Sequence, residues 1–252
     1  MLPVLEGTIA RRVLLNFRVD AEIARRLVPA PLEIATHNGY AVAGVCLIAL
    51  EKLRPKCLPA AFGFSSENMA HRIAVRFPTA RGWREGVYIW RRETDHPFVH
   101  RFGGRLFPGV HGAASFAISD NADGVAMCVK TPRADADVSF DAKPAAFQRS
   151  VLFETFEDLS GFFQKGDCGF SCALGGALEG MQLKTLRWEM KPLDVRSVRA
   201  SFFEDPVRFP RGSVVFDCGV LMRDIPHEWH ELSELGMQSS SIPNVAATPL
   251  HH

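Results

Sequence analysis

The chain has 252 residues, of which 47% are hydrophobic and 23% charged, enough to bury a sizeable core without disulfide or metal staples. Twenty-nine Lys and Arg against 28 Asp and Glu leave a formal charge of +1, and the basic residues are scattered. That excludes the strong basic excess of a dedicated nucleic-acid binder. The longest apolar run, residues 40–50, is too short for a membrane-spanning helix of about 20 residues. The opening Met-Leu-Pro-Val-Leu-Glu has no basic start and no long apolar centre, so neither a membrane segment nor a signal peptide is expected. Six dispersed cysteines then read as reduced thiols in a cytoplasmic protein.

In chain order, Val13 to Phe17 reads as a strand. Asp20 follows as an N-cap, with Glu22 in the first turn and Ile23 and Leu27 on one helical face, and Pro29 and Pro31 end this short helix. Residues 32–36 and 40–50 predict a hairpin about Asn38-Gly39, a pair that tolerates positive φ. A long loop is expected over 52–64, because two prolines and a glycine interrupt it.

Residues 68–77 alternate: Met69, Ile73, Val75 and Phe77 share one face with His71, and Glu67 has the same parity. That face is expected to point inward. Residues 86–93 are expected to pair with it antiparallel, carrying Val87, Ile89 and Arg91 on one side. Further strands are expected at 113–119, 125–131, 183–190, 195–203 and 213–222. One amphipathic helix is expected over 150–163, with Leu152, Phe156, Leu159 and Phe163 as its buried stripe. Many strands, few helices and short connections predict an α+β fold that is mainly antiparallel β, a large sheet or barrel. One domain is expected over 8–232, with a flexible Ser-rich tail over 236–252.

Two segments point to a family. Leu15-Asn16-Phe17-Arg18-Val19-Asp20, followed by Leu27-Val28-Pro29-Ala30-Pro31-Leu32-Glu33, resembles the start of the acetoacetate decarboxylase superfamily. Gly103-Gly104-Arg105-Leu106-Phe107-Pro108 is similar to that family's approach to its catalytic lysines. The resemblance spans most of the chain and is closest to the superfamily's uncharacterised branch, a domain of unknown function. It implies a cone-shaped antiparallel β-barrel around a small-molecule pocket. In the decarboxylases a Pro-Lys-Lys run supplies the Schiff-base amine, its pKa lowered by the neighbouring cation and by desolvation. Here Gly109 and Val110 follow Pro108, and no two of the seven lysines are adjacent. The imine route therefore does not transfer.

The resemblance also implies a glutamate ahead of the 68–77 strand, a position that Glu67 occupies. An arginine implied near Ala10 has no single counterpart, because Arg11 and Arg12 are adjacent. Glu67 and His111 are the proton-transfer candidates, and Arg105, Arg91 and His71 the substrate-binding ones. Guanidinium fixes a carboxylate bidentately, while Glu or His moves a proton, which suits an anionic small molecule. Each residue also has a plainer reading: Glu67 as a strand end, His71 as a hydrogen-bonded core histidine, Arg105 as a loop pin.

His96, His100 and His111 invite a zinc site, but Pro97 intervenes and no ligand carboxylate follows, so no metal is expected. The glycine-rich stretch 161–180 matches neither a P-loop nor a dinucleotide fingerprint, so no cofactor is expected either. Two principal functions stay open: an enzyme acting on an oxo acid or similar anion by acid–base chemistry, and a non-enzymatic binding barrel. A weaker third is a structural domain with a plugged cavity, and a homo-oligomer is compatible with all three.

Overall fold

The computed structural model describes residues 3–102, 109–173 and 175–232. In chain order the elements are β1 (Leu5–Val19), α1 (Ala21–Arg25), β2 (Glu33–Ile34), β3 (Thr36–His37), β4 (Tyr40–Pro55), β5 (Phe64–Thr79), β6 (Gly82–Thr94), α2 (Pro97–Phe102) and β7 (His111–Ala113). There follow β8 (Ser115–Asn121), β9 (Gly124–Lys130), β10 (Val138–Pro144), α3 (Phe156–Lys165), β11 (Cys168–Cys172), β12 (Leu178–Thr185), β13 (Lys191–Ala200), α4 (Ser201–Glu204) and β14 (Val214–Glu231).

Seven strands close into a ring in the order β1-β4-β5-β6-β11-β12-β14, with β14 returning to β1. Every pairing is antiparallel except β6–β11, where Gly169 meets Val87 and Phe170 meets Tyr88 in parallel. This is the predicted mainly antiparallel architecture. The 18-residue β14 also forks: Gly219 to Leu221 pair with β13, while His227 to Glu231 pair with β12. From β13 the sheet continues through β10 and β9 to β8, giving a second layer.

That layer covers one outer flank of the ring, so the first strands are apolar on both faces. Val13, Leu14 and Leu15 are all fully buried, as expected where neither face meets water. Val13, Leu15, Ile73 and Phe77 join Val129, Phe140 and Phe203 in one apolar cluster between the layers. Leu14, Cys46 and Ala74 belong to a second, which takes in Leu159 and Phe163 of α3.

Several local features match their sequence signals. Asp20 caps α1 by accepting from the Glu22 amide, and Asn38 and Gly39 turn between β3 and β4 at φ of 47° and 84°. Others differ. The loop expected over 52–64 contains the end of β4, a 3₁₀ turn at Ala60–Phe62 and the start of β5. Helix α3 begins later than expected, because Thr155 is its N-cap and accepts from the Asp158 amide. The amides of Val151 and Leu152 donate instead to Asp217. The short β10 and β11 carry no strong sequence signal. The tail over 236–252 and Arg105 lie outside the described residues. Among the described residues no helix is long and apolar enough to cross a membrane.

Candidate functional site

The two faces of β5 have different destinations. Ile73, Val75 and Phe77 enter the apolar cluster between the layers, whereas Ser66, Asn68, Ala70 and Arg72 line a cavity of about 150 Å³ inside the ring, and Met69 touches both. The inward direction expected for the more apolar face is thus corrected. The second layer gives that face a dry partner, and the smaller, more polar side chains are left to surround the hollow.

Three arginines dominate the cavity wall: Arg12 on β1, Arg72 on β5 and Arg92 on β6. Arg72 is only 3% exposed. Its Nη2 donates to Asn16 Oδ1 at 2.8 Å, and the Phe163 ring lies 4.9 Å from the guanidinium carbon. Its Nε and Nη1 have no hydrogen-bond partner. Arg92 Nε donates to Ser171 Oγ on β11 at 3.0 Å, and Arg12 Nε approaches Cys46 Sγ at 3.4 Å. Burial lowers Arg72 and Arg92 to about 10, which still leaves both cationic at neutral pH.

Among the described residues no carboxylate neutralises these three. Two acidic residues reach the wall, and each is engaged elsewhere. Glu93 Oε1 accepts from Arg91 Nε at 2.9 Å while its Oε2 is buried without a hydrogen bond, and Asp167 accepts from Gln182 Nε2 at 2.6 Å and Arg84 Nη2 at 3.3 Å. A buried cation without a counter-ion is expensive, and an incoming anion relieves that cost.

His111 completes the wall. The short β7 places it beside Arg92 in parallel register. Its Nδ1 lies 3.0 Å from Gly109 O. A carbonyl only accepts, so Nδ1 carries the proton and Nε2 is left as an acceptor. Burial, reinforced by the neighbouring Arg92 cation, pushes the imidazole down to about 3. Gly109 has φ of +75°, and a Cβ there would sit 2.8 Å from Ser171 Cβ and 3.1 Å from Arg92 Nε. The tight turn that delivers His111 therefore depends on the missing side chain.

The other expected site residues lie elsewhere. Glu67 accepts from Arg11 Nη2 at 2.7 and 2.8 Å. Arg11 also donates to Asp120 on β8, and Asp120 bonds Arg223. This network ties the ring to the second layer. Burial raises the Glu67 carboxyl above its usual range, against the opposing pull of Arg11. His71 is fully buried, its ring 4.8 Å from that of Phe202, with Nδ1 3.8 Å from Glu93 Oε2. Burial lowers its pKa. Arg91 pairs with Glu93 and, at 2.6 Å, with Asp135.

Of the expected set, then, the described residues bring only His111 to the cavity. Arg91 misses it because of a bulge: His71 pairs with Arg91 and Arg72 with Ile89, leaving Trp90 as the extra residue. An extra residue puts Arg91 on the outer face and Arg92 on the inner one. Arg12, Arg72, Arg92 and Asn16 escaped the sequence reading. The available signal was the small and polar series Ser66, Asn68, Ala70, Arg72 in a strand whose opposite face is apolar. His96 stacks on Phe64, His100 Nδ1 meets the His111 carbonyl at 2.7 Å, and no group of three metal-ligating side chains occurs among the described residues.

A closed ring, a second layer sharing its longest strand and a central cavity define the acetoacetate-decarboxylase-like fold. Solved structures bear this out. An acetoacetate decarboxylase from Legionella pneumophila aligns with a TM-score of 0.59 at 12% identity, over 93% of this chain and 89% of its own. An acetoacetate decarboxylase-like enzyme from Sphingomonas wittichii gives 0.59 at 13%, over 90% and 89%. The enduracididine biosynthesis enzyme MppR, complexed with pyruvate, gives 0.57 at 11%, over 91% and 89%. At such identities the likeness is one of fold. Within that class the chain belongs to the DUF2071 family, described as an uncharacterized conserved protein, whose model matches residues 7–210. No curated protein gives a significant match to the sequence.

Proposed function

We propose that the protein holds an anionic small molecule of the oxo-acid class in its arginine-lined cavity and acts on it by acid–base chemistry without a Schiff base. The observation that carries this reading is the wall itself: Arg12, Arg72 and Arg92 line one cavity, and among the described residues no carboxylate pairs with any of them, which suits an anion that arrives from outside. Arg12, Arg72 and Arg92 take the anchoring role expected of Arg91 and Arg105, and His111 presents Nε2 as the proton acceptor. The pyruvate held by one fold relative supports an oxo acid. Six of the seven lysines are exposed; the seventh, Lys143, points toward Asp194 and is not at the cavity wall. An amine nucleophile is thus not at hand. Six free cysteines fit a reducing, cytoplasmic setting.

The test is a panel of 2-oxo acids followed by proton NMR for consumption, with His111→Gln as the comparison. Consumption that survives the substitution removes His111 from the chemistry. An irreversible adduct on borohydride treatment overturns the non-imine route. The setting of His111 favours the second reading, binding without turnover: the Arg92 guanidinium stands beside it in register, and that cation together with burial lowers the basicity of the imidazole. On that reading an oxo acid raises the melting temperature and leaves unchanged.

A further inference from the structure

Resting on that reading of the cavity, we propose that Cys46 is its nucleophile: the thiol adds reversibly to the keto carbon of the bound oxo acid, in the place of the absent amine. Cys46 lies on β4, which is flanked by β1 and β5. Register sets it opposite Ala70, and Ala70 opposite Arg92, so the three stand in one row and all line the cavity. The same register brings Arg12 and Arg72 to the two diagonals of Cys46. Cys46 is 7% exposed although its backbone is paired on both edges, so the open surface belongs to the side chain, which borders the hollow.

Three cations surround this sulfur. Arg12 Nε donates to Sγ at 3.4 Å, and Arg72 and Arg92 both interact with it electrostatically. Among the described residues Arg12 and Arg92 make hydrogen bonds only through Nε, which leaves their Nη nitrogens for a ligand. The other thiol at the wall is placed differently. Cys168 Sγ donates to Asp167 Oδ1 at 3.2 Å and lies 3.4 Å from Arg84 Nη2. Its proton is engaged, whereas among the described residues the Cys46 thiol meets no acceptor.

In the addition a bond forms between Sγ and the keto carbon. The carbonyl π pair moves onto the oxygen, which takes up the proton that the thiol gives up, so nothing is oxidised or reduced and nothing leaves. Guanidinium holds the carboxylate and meets the oxygen while its charge develops. A 2-oxo acid suits the step because the carboxylate that the cations bind adjoins the carbon that the sulfur attacks. The room fits as well: a cavity of about 150 Å³ accommodates a benzene-sized molecule, and pyruvate is no larger.

Carbon-13 NMR of pyruvate labelled at the keto carbon reads the adduct directly. The wild type is expected to add a tetrahedral-carbon signal distinct from that of free pyruvate hydrate, and Cys46→Ala to lose it. If isothermal titration shows pyruvate bound while only ketone and hydrate signals are present, the thiol assignment falls and the anion-binding reading stays in place. An adduct signal that survives Cys46→Ala also overturns the assignment. If neither pyruvate nor any other 2-oxo acid of the panel binds the wild type, both fall together. A second measurement needs no variant. Iodoacetate and iodoacetamide alkylate a thiol by the same displacement of iodide and differ in charge, and the exposed Cys57 serves as internal reference. Peptide mass mapping of the native wild type is expected to give an iodoacetate-to-iodoacetamide ratio at least about ten-fold higher at Cys46 than at Cys57, with excess pyruvate suppressing the Cys46 labelling. Equal ratios at the two cysteines, or a Cys46 that neither reagent reaches, overturn the proposal even where Cys46→Ala does not fold.

Discussion

Replacing His111 by glutamine should flatten part of the acid limb of the protein's stability. In the unfolded chain an imidazole titrates near 6.5, and in the folded protein burial and Arg92 hold His111 down to about 3. Between those values the unfolded state binds one more proton than the folded state, so stability falls as pH drops from about 6.5 toward 3 and is flat above. Each pH unit within that window corresponds to about 1.4 kcal/mol. From about pH 7 to pH 4.5 the loss attributable to His111 is about 2.5 kcal/mol, discounted to roughly 2 because the side chain is only half-buried. His227, pushed down to about 4 by burial, adds a slope of the same sign, so the wild type alone does not isolate the effect. Urea midpoints followed by tryptophan fluorescence, for wild type and His111→Gln over that range, do isolate it. The variant should lose about 2 kcal/mol less than the wild type. Parallel curves would refute the placement of His111 as a half-buried, neutral imidazole beside Arg92.

Glu67→Gln weakens a charge-assisted pair between β5 and β1 of the ring, the pair that holds Arg11 toward Asp120 of the second layer, and should lower stability by about 1–2 kcal/mol in chemical denaturation. It should leave the affinity for a 2-oxo acid of the panel within about two-fold, because Glu67 lies on the outer face, and a large affinity loss would return Glu67 to the binding site. Gly109→Ala must adopt φ of +75° and press on Ser171 and Arg92. It should cost about 1–3 kcal/mol and weaken anion binding together, as read by a thermal-shift titration.

The fold was largely legible because its long strands declare themselves. The Asp20 cap, the Asn38-Gly39 turn and the alternation of residues 68–77 all correspond to observed elements. The site was less so, for two physical reasons. Alternation separates the faces of a strand but does not say which one meets a cavity. Here the apolar face of β5 packs against a layer built from residues far along the chain, such as Val129, Phe140 and Phe203. Parity also fails across a bulge, and Trp90 changes it between Ile89 and Arg92, so the pattern selected Arg91. Arg72 carried its own signal, a charge between Ala70 and Ala74 on one face of the strand, which a reading of the strand as covered on both sides would have heeded. His111 was found because it follows the Gly103–Pro108 segment that carried the family likeness.

The cramped turn at Gly109 also bears on protein engineering. Grafting a decarboxylase-style amine onto this scaffold by a single Gly109→Lys exchange would force a residue with a Cβ into a left-handed position and wedge the new stem between Ser171 and Arg92. The graft would dislodge one of the cations that the cavity relies on before it supplied any nucleophile. Conversion toward the relatives' chemistry is therefore a multi-residue redesign, in which the Arg92–Ser171 contact has to be dismantled first.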